Sequence, residues 1–154
     1  MSTAQRDKAR QMLKDAKLYC TAARIAILQV LMQAARPLRE NQIAKGLAGL
    51  QSTTRGRDAL GSKTGLNKVT VYRTLESLIE VGLVHRAFTY NRAWYFELAD
   101  HCTEHQCHPH FTCTHCGVTH CLTDISLPMA KIADKGFVIS RQQVRLEGLC
   151  PACA

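Results

Sequence analysis

The sequence predicts an α+β protein in two parts, a helical first part that ends in a β-hairpin and a small α/β second part. Apolar residues recur at helical spacing in four segments of the first 82 residues. Two β-prone segments follow, separated by a polar turn. The second part is rich in cysteine and histidine and contains two Cys-x-x-Cys pairs, at 113–116 and 150–153. These observations predict a boundary near residues 98–101, with domains at 1–98 and 99–154.

Each helix of the first part is predicted from an apolar stripe and from a capping or breaking residue. A basic first helix spans residues 4–19, and Thr21 caps the second helix. The third helix follows Pro37, and Asn67 caps a fourth helix that runs to Gly82. The predicted core positions are Met12, Leu13, Ala16 and Tyr19; Ile25, Leu28 and Leu31 or Met32; Ile43, Leu47 and Leu50; and Val71, Leu75, Leu78 and Ile79.

The segment between the third and fourth helices, residues 51–66, is rich in Gly, Ser, Thr and basic residues and is predicted to be a loop. Its Arg55, Arg57 and Lys63 could contact phosphates. A solvated insertion explains the same composition equally well, so the role of this loop stays open.

The fourth helix carries basic and polar side chains beside its apolar stripe, which suits the major groove of DNA. An ordinary charged surface would explain this helix equally well by itself. The turn at 89–92 lies inside a predicted hairpin at 83–98, and helices followed by a hairpin predict a winged-helix DNA-binding domain. The hairpin would place Arg86 or Arg92 near the phosphate backbone. The side chains of the fourth helix predicted to reach DNA are Lys68, Thr70, Tyr72 and Arg73.

The composition favours a polyanionic partner in a reducing compartment. With 20 Lys and Arg against 12 Asp and Glu, the formal net charge is +8 at pH 7, which favours nucleic acid. The first residues are polar and lack the apolar segment of a signal peptide, and no apolar run is long enough to span a membrane. We therefore expect a cytoplasmic protein whose 8 cysteines bind metal rather than form disulfides.

The two Cys-x-x-Cys pairs predict a structural zinc site. Each pair brings two thiolates within reach of one tetrahedral ion, and Gly117 permits the tight turn after the first pair. Disulfides or scattered free thiols are the simpler alternatives. The predicted zinc ligands are Cys113, Cys116, Cys150 and Cys153.

A second metal site is predicted just before the first pair. Pro109 restrains His108 to extended geometry, and along an extended chain His108 and His110 point to the same side. Two neighbouring imidazoles favour a metal site over a solvated polar loop.

The rest of the second part is predicted as strands and one short helix. The predicted strands are 118–122, 137–140 and 143–149, and Ser126 caps a predicted helix over 127–135.

Three motifs, in order, resemble those of the ferric uptake regulator (Fur) superfamily: VTVYRTL at 69–75, GLV at 82–84, and H-x-H-x-x-C-x-x-C-G at 108–117. The resemblance extends over about residues 13–153. It implies a homodimeric, metal-sensing transcriptional repressor with an N-terminal winged helix, a C-terminal dimerisation domain and a palindromic DNA operator. It also implies DNA contacts by Tyr72, Arg73 and Arg24, the last from the second helix.

Within the superfamily, the chain is most similar to the zinc uptake regulator (Zur) branch, because GLVHR at 82–86 is followed by Asn91. That similarity implies a sensory zinc site in addition to the structural one. A thiolate among its ligands favours zinc over iron(II). The implied sensory ligands are His85, Cys102, His108 and His110, with Glu97 as the alternative to Cys102.

The alternatives are an iron- or peroxide-sensing repressor of the same superfamily, a thiol redox sensor and a zinc hydrolase. The iron and peroxide branches usually have a histidine before the third helix, where this chain has Pro37. They also usually have acidic ligands around the sensor, whereas this chain has no acid at or just before Cys121. Both absences count against iron and peroxide sensing. His101-x-x-Glu-His105 matches a zinc protease motif, but such an enzyme needs a larger catalytic core. We therefore predict a zinc-dependent repressor of zinc-uptake genes that is not an enzyme and has no membrane or small-molecule partner.

Overall fold

The chain forms two compact units, Met1–Leu98 and Ala99–Ala154. The predicted basic side chains of the loop at 51–66 lie outside the described residues. No helix in the described part is long and apolar enough to cross a membrane. The computed structural model describes residues 3–52, 66–100, 102, 106–131 and 136–154.

The described part of the first unit consists of helices and one antiparallel sheet of strand order β1-β3-β2. The sequence did not predict β1, which has only two residues and pairs Leu38 with Phe96 and Arg39 with Tyr95. The elements are α1 (Thr3–Asp15), α2 (Ala22–Gln33), β1 (Leu38–Arg39), α3 (Glu40–Ser52), α4 (Lys68–Glu80), β2 (Val84–Tyr90) and β3 (Ala93–Leu98).

The predicted caps of α2 and α4 are confirmed. The Thr21 hydroxyl accepts a hydrogen bond from the Arg24 amide at 3.3 Å, and the Asn67 side-chain oxygen accepts one from the Thr70 amide at 2.8 Å. Both caps satisfy amides that have no partner within the helix. Gly82 follows α4 with a φ of 73°, a left-handed conformation that glycine adopts without strain.

The helices pack through their predicted apolar stripes, with two differences. First, α1 ends at Asp15, so Tyr19 is 87% exposed and is not part of the core. Second, α2 also buries Ile27 and Val30, because it packs against α1, α3 and α4 together. The buried core of the first unit comprises Ala9, Leu13, Ile25, Ile27, Leu28, Val30, Leu31, Ile43, Leu47, Val71, Leu75, Leu78, Val84 and Phe96.

The hairpin is tighter than the sequence predicted. Its turn consists of Asn91 and Arg92, with φ angles of 47° and 59°, which is the conformation of a type I′ turn that matches the twist of paired strands. Because the turn is so short, β2 continues to Tyr90. The register shifts between Arg86 and Phe88, which is a β-bulge.

The second unit is built on a three-stranded sheet, in which β4 (His110–Cys113) lies between β5 (Thr119–Cys121) and β6 (Arg145–Gly148). β4 pairs antiparallel to β5 and parallel to β6. The strands predicted at 118–122 and 143–149 are therefore confirmed in shorter form.

Two other predictions for the second unit are wrong. Residues 137–140 are not a strand, and the described part of the predicted helix, 127–131, is irregular. The Gln142 side chain bonds to this segment, accepting from the Ala130 amide at 2.7 Å and donating to the Pro128 carbonyl at 3.1 Å. The side chain thus takes backbone groups that a helix would have needed.

Candidate metal centres and recognition helix

The predicted structural zinc ligands meet at the end of β4. The sulfur atoms of the cysteine quartet (Cys113, Cys116, Cys150 and Cys153) all lie within 4.8 Å of one another. Those of Cys116 and Cys150 are 3.8 Å apart, which is about the edge of a tetrahedron with Zn–S bonds of ~2.3 Å. β6 runs beside β4 and delivers the second pair, and Gly117 makes the tight turn with a φ of 70°. The quartet therefore fits a tetrahedral zinc ion.

Hydrogen bonding shifts the pKa values of two quartet cysteines in opposite directions. The backbone N–H groups of Cys116 and Cys150 lower the pKa of Cys113 to about 6. The side-chain hydrogen bond with Cys150, together with burial, raises the pKa of Cys153 to about 12. Four thiolates at this spacing repel one another, and a bound divalent cation would offset half of their charge and add folding energy to the second unit.

A second cluster lies in the same unit as the quartet. The ligand atoms of the His-His-Cys cluster (His108, His110 and Cys121) lie within 4.8 Å of one another. The two imidazole centroids are 4.6 Å apart, and His110 pairs with Cys121 across the β4–β5 ladder. Both histidines are buried. The predicted pairing of the two imidazoles is confirmed.

Cys121 was not among the predicted ligands. The sequence did contain a signal, because the resemblance implied a ligand position at or just before Cys121, and a cysteine there is a metal-ligating residue type. Its position at the end of β5, directly opposite His110, brings its sulfur to both histidines. The structure thus adds a thiolate to the candidate sensory site.

Cys102, the predicted sensory thiolate, has another cysteine as its neighbour. Its sulfur lies 2.7 Å from that of Cys107. Cys107 is buried, and its sulfur lies 3.6 Å from Nδ1 of His108. Cys102 therefore contacts Cys107, and Cys107 in turn contacts His108 of the His-His-Cys cluster.

In the first unit, His85 and Glu97 are partners across the hairpin. His85 Nε2 lies 2.7 Å from a carboxylate oxygen of Glu97, and the side chains are only 5% and 12% exposed. A carboxylate so placed orients an imidazole and makes its other nitrogen a better metal ligand. His85, a predicted ligand, and Glu97, the predicted alternative to Cys102, are thus neighbours.

The predicted recognition helix presents its polar face to solvent. Lys68, Tyr72 and Arg73 are exposed on α4, whereas Thr70 is half-buried. Lys68 Nζ lies 3.9 Å from a carboxylate oxygen of Glu40, but the lysine remains well exposed. At least three of the four side chains can therefore reach a ligand outside the unit.

Two arginines have partners within the first unit. Arg24 donates to the Ser77 hydroxyl at 3.4 Å and to the Tyr19 carbonyl at 3.0 Å, which braces α2 against α4. Arg86 forms an ion pair with Glu76 of α4 and lies over the Trp94 ring. Of the two hairpin arginines considered for phosphate contact, Arg92 is the one exposed at the turn.

A recognition helix and hairpin, followed by a unit with clustered cysteine and histidine ligands, define a metal-responsive DNA-binding regulator. The chain belongs to the ferric uptake regulator family, whose family model matches residues 57–147. It is 33% identical over 147 residues to the ferric uptake regulation protein of Legionella pneumophila, covering 93% of this chain and 96% of that one. Family members regulate transcription and are not enzymes, so the zinc hydrolase alternative is excluded.

Solved structures show the same fold. The ferric uptake regulator of Vibrio cholerae matches with a TM-score of 0.59 at 25% identity, covering 92% of this chain and 98% of that one. The manganese-containing regulator of Pseudomonas aeruginosa gives 0.58 at 25% identity, with 93% and 98% covered. A zinc uptake regulator complexed with zinc and DNA gives 0.63 at 20% identity, with 99% and 95% covered. Because a manganese-containing structure and a zinc-containing structure share this fold, the fold leaves the metal of this chain undetermined.

Proposed function

We propose that this chain is a zinc-dependent repressor of zinc-uptake genes. The observation that carries the proposal is the sulfur of Cys121 beside the imidazoles of His108 and His110. Two imidazoles and a thiolate suit tetrahedral zinc, whereas iron(II) and manganese prefer more oxygen ligands and higher coordination numbers.

The first unit supplies a further ligand in this proposal, His85, as the resemblance implied. The buried contact between His85 and Glu97 supports it, because a carboxylate partner fixes the tautomer of a metal-binding histidine. Cys102 and Glu97 remain the proposed alternatives for any additional ligand. An ion with ligands from both units would restrict how they move and so favour one DNA-binding arrangement.

The proposed DNA contacts are made by α4 and its surroundings. We propose that residues 1–98 form the DNA-binding domain, that 99–154 form the metal-binding dimerisation domain, and that the homodimer binds a palindromic operator in the cytoplasm. The exposed polar face of α4 and the net charge of +8 support this. The proposed contacts are Lys68, Thr70, Tyr72 and Arg73 of α4 and Arg24 of α2, which also braces α2 against α4.

The decisive test measures operator binding anaerobically at buffered free zinc, iron(II) and manganese. Affinity should rise with free zinc far below total cellular zinc, and the other two ions should act only at much higher levels. His85→Ala should lose the response and keep the structural zinc, since His85 is outside the cysteine quartet. Activation by iron(II) at its ordinary cytosolic level, with zinc inert beyond the quartet, would overturn the proposal.

One observation favours a second candidate, an iron-responsive repressor. The Legionella pneumophila relative, at 33% identity, is named for ferric uptake regulation. Against this candidate, the His-His-Cys cluster has a sulfur where iron(II) would favour oxygen. The same titration separates the two candidates, because each predicts a different activating ion.

A further inference from the structure

We propose that Cys102 and Cys107 are a modification site, at which a hydroperoxide converts the two thiols into an intramolecular disulfide. The two sulfurs lie outside the cysteine quartet and the His-His-Cys cluster, in a third group of possible metal ligands. The link from this disulfide to metal sensing rests on the function proposed above. The oxidation chemistry of the two thiols does not depend on that function.

Proximity is the first argument. The sulfur atoms of Cys102 and Cys107 are 2.7 Å apart, so they need to approach by roughly 0.6–0.7 Å to reach the ~2.05 Å of a disulfide bond. The two residues are separated by four others, so closing this small ring costs little chain entropy. No large rearrangement of the second unit is required.

Unequal burial assigns the roles of the two sulfurs. Cys102 is half-buried, whereas Cys107 is 3% exposed. An oxidant arriving from solvent therefore meets Cys102 first, and Cys107 is in position to resolve the oxidised form. This combination of an accessible thiol and an adjacent resolving thiol is typical of reversible cysteine oxidation.

The reaction balances with one hydroperoxide. The Cys102 sulfur attacks the O–O bond of ROOH, giving the sulfenic acid and releasing ROH. The Cys107 sulfur then displaces water from the sulfenic acid and forms the S–S bond. Two thiols lose two electrons and two protons, and ROOH becomes ROH and water. A cellular dithiol reverses the step by thiol–disulfide exchange.

Contact with the His-His-Cys cluster gives the disulfide a consequence. The Cys107 sulfur lies 3.6 Å from Nδ1 of His108, so bonding at Cys107 alters the immediate surroundings of that metal-binding imidazole. It also withdraws Cys102 from any role as a thiolate ligand. Changes next to a metal ligand commonly weaken metal affinity by roughly ten- to a hundredfold.

The test uses the zinc-loaded full chain, treated with tert-butyl hydroperoxide and then with an alkylating agent. Cleavage after Glu97 and Glu104 separates segment 98–104, which contains Cys102, from segment 105–147, which contains Cys107. We expect these segments to stay linked after oxidation and to separate on reduction. Cys107→Ser should abolish the link, whereas Cys121→Ser and Cys20→Ser should retain it.

Other outcomes contradict the proposal. Alkylated Cys102 after peroxide treatment, overoxidation without a link, or a link to Cys121 or to the quartet would each overturn it. Protection of both thiols by zinc would do so as well, and would indicate a metal-bridged pair.

A separate measurement tests the coupling to metal sensing. Oxidation should weaken regulatory zinc binding roughly ten- to a hundredfold, reversibly, with the quartet zinc retained. A linked peptide with unchanged zinc binding would overturn the coupling alone. If zinc never affects operator binding, the proposed function fails, while the linked peptide still decides the chemistry of the cysteine pair.

Discussion

At the scale of single residues, the proposed function makes the type of ligand atom decisive for the ion that is sensed. Cys121 sits at the end of β5, opposite His110, and supplies the sulfur of the His-His-Cys cluster. Backbone geometry fixes the place of this ligand, and the side chain alone sets its chemistry. One substitution should therefore change metal preference without changing the fold.

Replacement of Cys121 by Glu tests this at the same position. The carboxylate should lower the zinc sensitivity of operator binding and raise sensitivity to iron(II), because oxygen ligands suit iron(II) better than a thiolate does. Titration of operator affinity with each buffered ion measures the shift. Cys121→Ser is the matched control, since its weaker hydroxyl ligand should reduce the zinc response without favouring iron(II). Unchanged ion preference in Cys121→Glu would remove Cys121 from the sensory site.

Acid should release the structural zinc through Cys113. Backbone N–H groups lower the pKa of this thiol from 9.0 to about 6, so its thiolate contributes stability that is complete above pH 9 and is lost as the pH falls through about 6. We expect the quartet to keep zinc at neutral pH and to release it below about pH 6, with loss of structure in the second unit. A zinc-binding dye and circular dichroism, recorded together against pH, measure both changes.

The control for this titration is Cys20→Ser. Cys20 is an exposed thiol whose sulfur lies 3.7 Å from the Arg10 carbonyl, in the first unit. Removing it should leave the zinc release curve unchanged. Release already complete at neutral pH in the wild-type chain would contradict the assignment of Cys113 as a low-pKa ligand.

At the scale of elements, α4 is positioned by contacts on both sides, and its outer polar face is exposed. Arg24 ties it to α2 through Ser77, and the ion pair between Arg86 and Glu76 ties it to the hairpin. The helix should therefore be presented to DNA as a rigid element. Loss of a side chain on its outer face then affects binding rather than folding.

Tyr72→Ala and Arg73→Ala should each weaken operator binding by about 1–3 kcal/mol, the usual range for a specific contact. Zinc content and thermal stability should stay unchanged, because both side chains are exposed. Mobility-shift titration measures the affinity. Lys131→Ala, which removes a positive charge from the second unit, is the charge control and should have a smaller effect. Wild-type affinity in Arg73→Ala would exclude α4 as the recognition helix.

Local signals predicted the elements whose boundaries depend on nearby residues. The ends of α2 and α4 were predictable from local residues, namely the capping side chains of Thr21 and Asn67 and the left-handed Gly82. The strand β1 was missed because two residues contain no periodicity, and its existence depends on pairing with β3. The helix predicted near Pro128 failed because a distant side chain, Gln142, binds its backbone.

The metal sites also divide into ligands that nearby residues predict and ligands that only tertiary contacts bring together. The cysteine quartet was predictable because its ligands come as two close pairs with the spacing of zinc sites. Cys121 joins its cluster through strand register, and the Cys102–Cys107 contact depends on tertiary structure, neither of which sequence spacing encodes.

At the scale of the whole molecule, the proposed function requires that metal and DNA act on one equilibrium. An ion that favours the DNA-binding arrangement must bind that arrangement more tightly than the alternatives. The two ligands are then linked through a single coupling free energy, which is the same in whichever order they bind.

Zinc and operator DNA should therefore strengthen each other's binding by the same factor, roughly 5- to 150-fold for a coupling of about 1–3 kcal/mol. Operator affinity with and without regulatory zinc gives one factor, and competition with a zinc chelator, with and without DNA, gives the other. His85→Ala should bring both factors to one while the quartet keeps its zinc, because His85 is not a quartet ligand. Factors of one, measured on the assembled homodimer, would show that the ion does not act through the DNA-binding equilibrium. Zinc would then have to act through another step, such as assembly of the homodimer, and the dependence of operator binding on protein concentration would reveal it.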